Sequence, residues 1–158
     1  MITSAPPAKF LVSTPSIVKP KEKFILKFST LDNFNNPAYP YPEGKVFISD
    51  ITAPFTPIKE KELKKEEKGR GKLTIQAPDE EKIWRISLSN IKNDLIGFAP
   101  PIRITRRKDI PKVYFGDTHG KTGLTDGLGT PEEYFTYAKE IACLDFAAIA
   151  DHNSAESS

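Results

Sequence analysis

The sequence predicts an antiparallel β-sandwich over residues 1–108, followed by a strand–helix–strand unit over residues 109–158. Two observations predict the sandwich. Short segments carry apolar residues at every second position, and most of the 14 prolines fall before position 112, where they disfavour long helices. A third observation predicts the second part, because a well-capped helix pattern lies between two apolar segments.

The alternating segments of the first part are the predicted strands. They are residues 9–13, 23–29, 45–49, 72–76, 83–89 and 101–105. Several short strands separated by turn residues, with no helix pattern among them, are typical of an immunoglobulin-like sandwich. Trp84 alternates with Ile86 and Leu88, so it is predicted to lie in the core rather than to stack on a ligand.

Charge and composition narrow the classes of partner. Residues 59–72 hold seven basic and four acidic side chains, and this mixture favours a solvated hairpin or loop over a nucleic-acid surface. The net charge is only +2, and no apolar stretch approaches the roughly 20 residues of a transmembrane helix. We therefore expect neither a nucleic-acid nor a membrane partner.

The single cysteine, Cys143, excludes an intrachain disulfide and a zinc-binding cysteine set. The first residues have neither the basic region nor the apolar region of a signal peptide. Together these features slightly favour a cytoplasmic location.

The second part reads as a βαβ unit. Residues 113–115 form a short apolar segment, and a loop containing five glycines follows it. Thr130, Pro131 and Glu133 are the residues of a capped helix start, with a capping box between Thr130 and Glu133. Residues 146–150 are continuously apolar, which predicts a parallel strand covered on both faces.

Both histidines of the chain follow the predicted strands of this unit. Asp117 and His119 come after the first strand, and Asp151 and His152 come after the second. Because parallel strands end at the same edge of a sheet, these side chains are expected to converge, with Asp126 of the glycine-rich loop in reach. Imidazole and carboxylate groups are common metal ligands. Spacing alone leaves two alternatives open, a metal site and a pair of hydrogen-bonded structural histidines.

Longer stretches of the second part resemble a known family. YFGDTHGKT at residues 114–122, LTDG at 124–127 and TPEEY at 130–134 resemble the first motif region of the PHP (polymerase and histidinol phosphatase) superfamily. LDFAAIADHN at residues 144–153 is similar to its second motif. The match is best to an uncharacterised branch in which a β-domain precedes the PHP domain. The resemblance implies the start of a (β/α)7 barrel with divalent metals (Zn, Mn or Fe) and phosphoesterase activity.

The resemblance also implies roles for individual residues. His119, Asp126 and His152 match metal ligands of the family. Lys121 stands where the family has a second histidine. A protonated lysine cannot ligate a metal, so we expect a modified or reduced metal site in which Lys121 contacts a bound phosphate or replaces one metal electrostatically. Asp117 and Asp151 would orient these ligands or add to them.

The chain ends soon after the second motif, so we expect a truncated N-terminal fragment of a metal-dependent phosphoesterase. The parent protein would act on a phosphate-ester small molecule. The fragment alone would be inactive, and it could self-associate through its incomplete sheet. The alternative is an immunoglobulin-like binding or spacer module without catalytic activity.

Overall fold

The structure, a computed structural model, describes residues 4–52 and 56–153. The chain divides into two compact units, and the division falls between Val113 and Tyr114 in the sequence. We call them the N-terminal unit and the C-terminal unit. The sequence predicted two domains with a boundary after residue 108. That the two units are independent domains stays a prediction.

Strands dominate the secondary structure. The strands are β1 (Lys9–Ser13), β2 (Ile17–Val18), β3 (Lys23–Leu31), β4 (Gly44–Asp50), β5 (Thr56–Leu63), β6 (Arg70–Gln76), β7 (Lys82–Trp84), β8 (Ile86–Asn90), β9 (Leu95–Phe98), β10 (Ile102–Ile104), β11 (Gly116–Gly120) and β12 (Phe146–Ile149). The α-helix α1 (Pro131–Thr136) continues as a π-helical turn, Tyr137–Ile141. Two short 3-10 helices, Lys65–Glu67 and Ile91–Asn93, connect strands. Within the described ranges, no helix is long and apolar enough to span a bilayer.

The N-terminal unit contains three sheets. One has the order β1-β3-β6 and a second the order β5-β4-β8-β9, both with antiparallel pairing. In the third sheet, β10 pairs in parallel with β2 and antiparallel with β7. The inward faces of these sheets form one core of 18 buried apolar side chains.

Alternation along the strands builds this core. In β3, Phe24, Leu26 and Phe28 are buried while Ile25 between them is 53% exposed. Each fully buried side chain of this size contributes about 1.5–3 kcal/mol through removal of apolar surface from water. Trp84 is 1% exposed and its ring meets Phe24 edge-to-face, so its predicted core position is confirmed.

Five of the six predicted strands are present as single strands, and the sequence missed three others. The strand predicted at residues 83–89 is instead two strands, β7 and β8, which belong to different sheets. β2 and β9 are short, and β5 overlaps the first part of the charged run, which was predicted to be a solvated hairpin or loop. Within residues 4–52 and 56–153, β5 pairs only with β4, at the edge of its sheet, and its side chains are mostly exposed. An edge strand tolerates charge because its outer side faces water, and charge there also opposes pairing with other chains.

The C-terminal unit has a two-stranded parallel sheet, β11 and β12, connected through α1. The Thr130 side chain accepts a hydrogen bond from the Glu133 amide at 3.1 Å, and the Glu133 carboxylate accepts one from the Thr130 amide at 2.8 Å. This is the predicted capping box. The strand predicted at residues 113–115 is wrong, since Phe115 bonds instead to the backbone and carboxylate of Asp145. The first strand is Gly116–Gly120, so Asp117 and His119 lie within it and not after it.

Two further expectations about the C-terminal unit are wrong. The strand at residues 146–150 is not covered on both faces, since Phe146 is 48% exposed and its neighbours are exposed or half-buried. The fold class of an immunoglobulin-like sandwich leading into a PHP-type (β/α)7 barrel is also wrong. In the described residues, strands are the main secondary structure and there is one short α-helix, and two parallel strands form no barrel.

Candidate functional site

Three polar side chains meet where β12 ends and the loop after β11 begins. The Nε2 atom of His152 lies 3.5 Å from Oδ2 of Asp126 and 3.3 Å from Nζ of Lys121. We call these three residues the Lys–Asp–His cluster. His152 and Asp126 are each 62% exposed at the side chain, so the cluster is open to solvent.

The loop under the cluster is held by Asp151. Its carboxylate accepts hydrogen bonds from the Thr122 amide at 2.8 Å, the Thr122 hydroxyl at 2.6 Å and the Thr125 hydroxyl at 2.6 Å. Thr122 is fully buried. Asp151 therefore joins the end of β12 to the loop that carries Asp126, and its oxygens already have partners.

The Lys121 side chain is held by contacts with Ala150 and His152. Its ammonium donates a hydrogen bond to the carbonyl of Ala150 and points to the imidazole of His152. A Cβ atom on Gly127 would collide with the backbone of Lys121 and Thr122. Glycine at position 127 thus lets the two ends of the loop come together.

Hydrogen bonds keep the carboxylates of the site ionised. The hydroxyl and amide of Thr122, with the Thr125 hydroxyl, lower the pKa of Asp151 to about 2. The pKa of Asp126 is also lowered, first by its own backbone amide and the Thr125 hydroxyl and then by the nearby His152 and Lys121. Both groups are therefore carboxylates at neutral pH.

Asp117 and His119 lie in a different set of contacts. The pairing of β11 with β12 is irregular between Asp117 and Gly120, which displaces His119 from the regular register. Asp117 accepts hydrogen bonds from the His119 amide at 2.9 Å and the Tyr134 hydroxyl at 3.1 Å, and these bonds lower its pKa. Among the described residues, no hydrogen bond or ion pair joins the His119 imidazole to Asp126 or His152.

The predicted site is thus brought together only in part. Asp126, His152 and Lys121 lie close together, and Asp151 holds the loop that carries Asp126. Asp117 and His119 contact each other and do not join this cluster. Sequence reasoning missed Thr122, Thr125 and Tyr134, which hold the two aspartates. In the sequence, Tyr134 belongs to an apolar stripe at helical spacing. Its hydroxyl group is the one feature that could have indicated a polar contact.

A metal ion would find two donors here. Within residues 4–52 and 56–153, no group of three or more His, Cys, Asp and Glu side chains is placed to hold an ion. Asp126 and His152 offer one oxygen and one nitrogen, and Lys121 adds a positive charge beside them. Two donors fit a weak site at which water molecules fill the remaining coordination positions of one ion. They do not fit a multinuclear centre.

Comparison with known proteins gives no family. No protein-family model matches the chain, and no curated protein matches it. Superoxide reductase (neelaredoxin) from Ignicoccus hospitalis is similar in structure with 12% identity and a TM-score of 0.43, covering 63% of this chain and 82% of that chain. A point variant of the same reductase has 9% identity and a TM-score of 0.45, covering 64% of this chain and 83% of that chain.

The sulfur carrier protein SoxY from Chlorobium limicola f thiosulfatophilum is a further similar structure. It has 10% identity and a TM-score of 0.41, and the match covers 65% of this chain and 86% of that chain. Likeness at this level carries no conclusion about what this chain binds or catalyses.

The resemblance to the PHP superfamily is therefore wrong, and so is the phosphoesterase function that it implied. No family model supports it, and the strand-rich fold of the described residues lacks the barrel. No family model supports the alternative of a non-catalytic immunoglobulin-like module either.

Proposed function

We propose that the C-terminal unit binds a single divalent metal ion, such as zinc or manganese, between Asp126 and His152. The observation that carries the proposal is the 3.5 Å separation of Asp126 Oδ2 and His152 Nε2. Zinc bonds of about 2.0–2.1 Å at a tetrahedral angle place two donor atoms about 3.3 Å apart. The two donors therefore need little movement to share an ion.

The charge state of the donors supports the same proposal. Asp126 is ionised at neutral pH because its pKa is lowered, first by its own backbone amide and the hydroxyl of Thr125. A metal ion requires the unprotonated form of Nε2, the form that also accepts a hydrogen bond from Lys121. Metal and lysine thus compete for one lone pair.

Lys121 should lower the affinity of the proposed site for a metal ion. Its ammonium lies 3.3 Å from Nε2 and opposes a second positive charge at that position. Binding would release this side chain from His152 while its bond to the Ala150 carbonyl can remain. With two protein ligands, the affinity should fall well below that of four-ligand structural zinc sites, whose binding free energies are about 10–16 kcal/mol.

Zinc titration of the chain, followed by the ring-proton NMR signals of its two histidines, tests the proposal. We expect the His152 signals to shift saturably and the His119 signals to stay near their starting positions. Asp126→Asn and His152→Gln should each weaken binding by roughly tenfold or more. Lys121→Gln should strengthen it about fivefold, because a competing charge is removed.

His119→Gln is the matched control, since it removes the other histidine of the same unit. It should leave the affinity within about twofold, which also separates the two-donor site from the three-ligand set predicted by the sequence. Equal losses for His119→Gln and His152→Gln would contradict the proposal, as would the absence of saturable shifts.

A further inference from the structure

A cleft lies in the N-terminal unit. It has a volume of about 610 Å³ and lies between β2, the turn after it and the segment at residues 105–112. Five basic side chains and one acidic side chain line it: Lys19, Lys21, Arg107, Lys108, Lys112 and Glu22. The volume is within the usual range of small-molecule sites.

The walls of this basic cleft are held by hydrogen bonds at both ends. The Thr105 amide donates to the Val18 carbonyl at 3.0 Å, and the Val113 amide donates to the Ser16 hydroxyl at 2.9 Å. These bonds fold the segment after β10 back along β2. Because the cleft is held in this way, a ligand can bind its charged side chains without the entropic cost of ordering a loop.

The opposite wall is a tight turn. The Glu22 carboxylate accepts a hydrogen bond from the Lys19 amide at 2.6 Å, and the Glu22 amide donates to the Lys19 carbonyl at 3.1 Å. Lys21 in the same turn has a positive φ of 60°, and its amide donates to the Pro78 carbonyl. Glu22 is thus occupied by the backbone of the turn.

Three of the basic groups in the cleft have no acidic partner among the described residues. Lys21 pairs with Asp79 at 2.8 Å and Arg107 pairs with Asp109 at 2.7 Å, so these two are largely compensated. Lys19, Lys108 and Lys112 have no ion pair within the described ranges. Unpaired charges of one sign in a cleft with low-dielectric walls attract ligands of the other sign.

The charged run around β5 shows the contrast. Within it, Lys61 reaches Glu67 at 2.6 Å, and Glu60 reaches Lys45 of β4 at 2.7 Å. The carboxylates of the run therefore offset part of its positive charge. Lys19, Lys108 and Lys112 of the cleft have no such ion pair among the described residues.

We propose that this cleft binds a small ligand that carries several phosphate groups. Multiple negative charges match the three unpaired ammonium groups, which act as point charges toward phosphate oxygens. Ile17 and Ile110 in the lining offer apolar contact to the rest of such a molecule. The described residues that line the cleft include no aromatic side chain on which a base could stack, and this disfavours single-stranded nucleic acid.

Titration of the whole chain with tripolyphosphate, followed by backbone-amide NMR, tests the proposal. We expect saturable shifts at residues 19–22 and 105–112, and weaker binding as salt is added. A triple variant, Lys19→Gln with Lys108→Gln and Lys112→Gln, should lose roughly tenfold or more in affinity. All three side chains are exposed, so the fold should be retained, and Trp84 fluorescence checks this.

The control triple, Lys9→Gln with Lys23→Gln and Lys27→Gln, removes the same charge from β1 and β3. It should change the affinity by less than about twofold if the cleft is the site. Equal loss in both triples would show a non-specific charge effect and overturn the proposal. Tighter binding of a hexaglutamate peptide than of tripolyphosphate would overturn the choice of phosphate. If the triple variant fails to fold, Lys108→Gln and Lys112→Gln alone decide the question.

Discussion

The two units of this chain are stabilised in different ways. The N-terminal unit buries 18 apolar side chains in one core. In the described part of the C-terminal unit, Ala138 and Cys143 are the buried apolar residues, while Leu128, Leu124 and Phe115 are more than half exposed. Hydrogen bonds to Asp151, Asp117 and Asp145 hold the smaller unit instead. Burial therefore dominates one unit and polar contacts dominate the other.

This difference has a consequence for the candidate sites. The basic cleft is built on strands of a packed core, so changing its lysines should leave the fold intact. The Lys–Asp–His cluster rests on a loop whose position depends on the Asp151 carboxylate. A site on such a loop opens more readily, and its affinity should follow the stability of the loop.

The largest expected effect is on the apolar core. Leu26→Ala removes a side chain with no exposed surface and should lower the free energy of unfolding of the N-terminal unit by about 2–5 kcal/mol. Chemical denaturation followed by Trp84 fluorescence measures this change. Ile25→Ala, on the solvent side of the same strand, is the control and should cost much less. Equal costs would show that burial does not dominate this unit.

The next effect concerns the polar contacts of the C-terminal unit. The pKa of Asp151 is lowered to about 2 from 3.8 by the bonds from Thr122 and Thr125, so the folded state favours the ionised form. Its stabilising contribution is complete above about pH 4 and is lost as the pH falls toward 2. Amide hydrogen exchange at Thr122 should therefore speed up in this window.

Asp151→Asn should make exchange at Thr122 several-fold faster at neutral pH and remove most of the pH dependence between 4 and 2. Glu132→Gln, at an exposed position of α1, serves as the control. An unchanged exchange rate in the Asp151 variant would mean that these three bonds do not hold the loop.

A smaller effect is expected on self-association, which stays a prediction from the open sheet. Among the described residues, β12 pairs with β11 alone, and Phe146 at its start is 48% exposed. We expect weak, concentration-dependent dimers in sedimentation equilibrium, reduced by Phe146→Lys because charge at an edge opposes strand pairing. Phe135→Lys on α1 is the control. Equal reduction by both variants would place the contact outside the sheet.

The sequence predicted the local features well because they depend on neighbouring residues. The bounds of β1 and the capping box at Thr130 are both set by patterns a few residues long. β5 was missed because its charged residues form a strand only at the edge of a sheet, beside β4. The sequence does not reveal that edge.

The candidate site was predicted in part for a similar reason. Parallel strands end at one edge, and this general rule brought Asp126 and His152 into consideration together. An irregularity in β11 moves His119 out of that set, and no residue pattern announces it. The role of Asp151 also depends on two threonine hydroxyls that meet it only in the folded loop.

Two natural probes test the difference between the units most directly. Trp84 is the only tryptophan and lies in the core of the N-terminal unit, while Cys143 is the only cysteine and is buried in the C-terminal unit. A single denaturant titration can follow Trp84 fluorescence and the rate at which a thiol reagent labels Cys143. We predict that Cys143 becomes reactive at clearly lower denaturant than the fluorescence transition. Coincident transitions would contradict the conclusion that burial holds one unit and polar contacts the other.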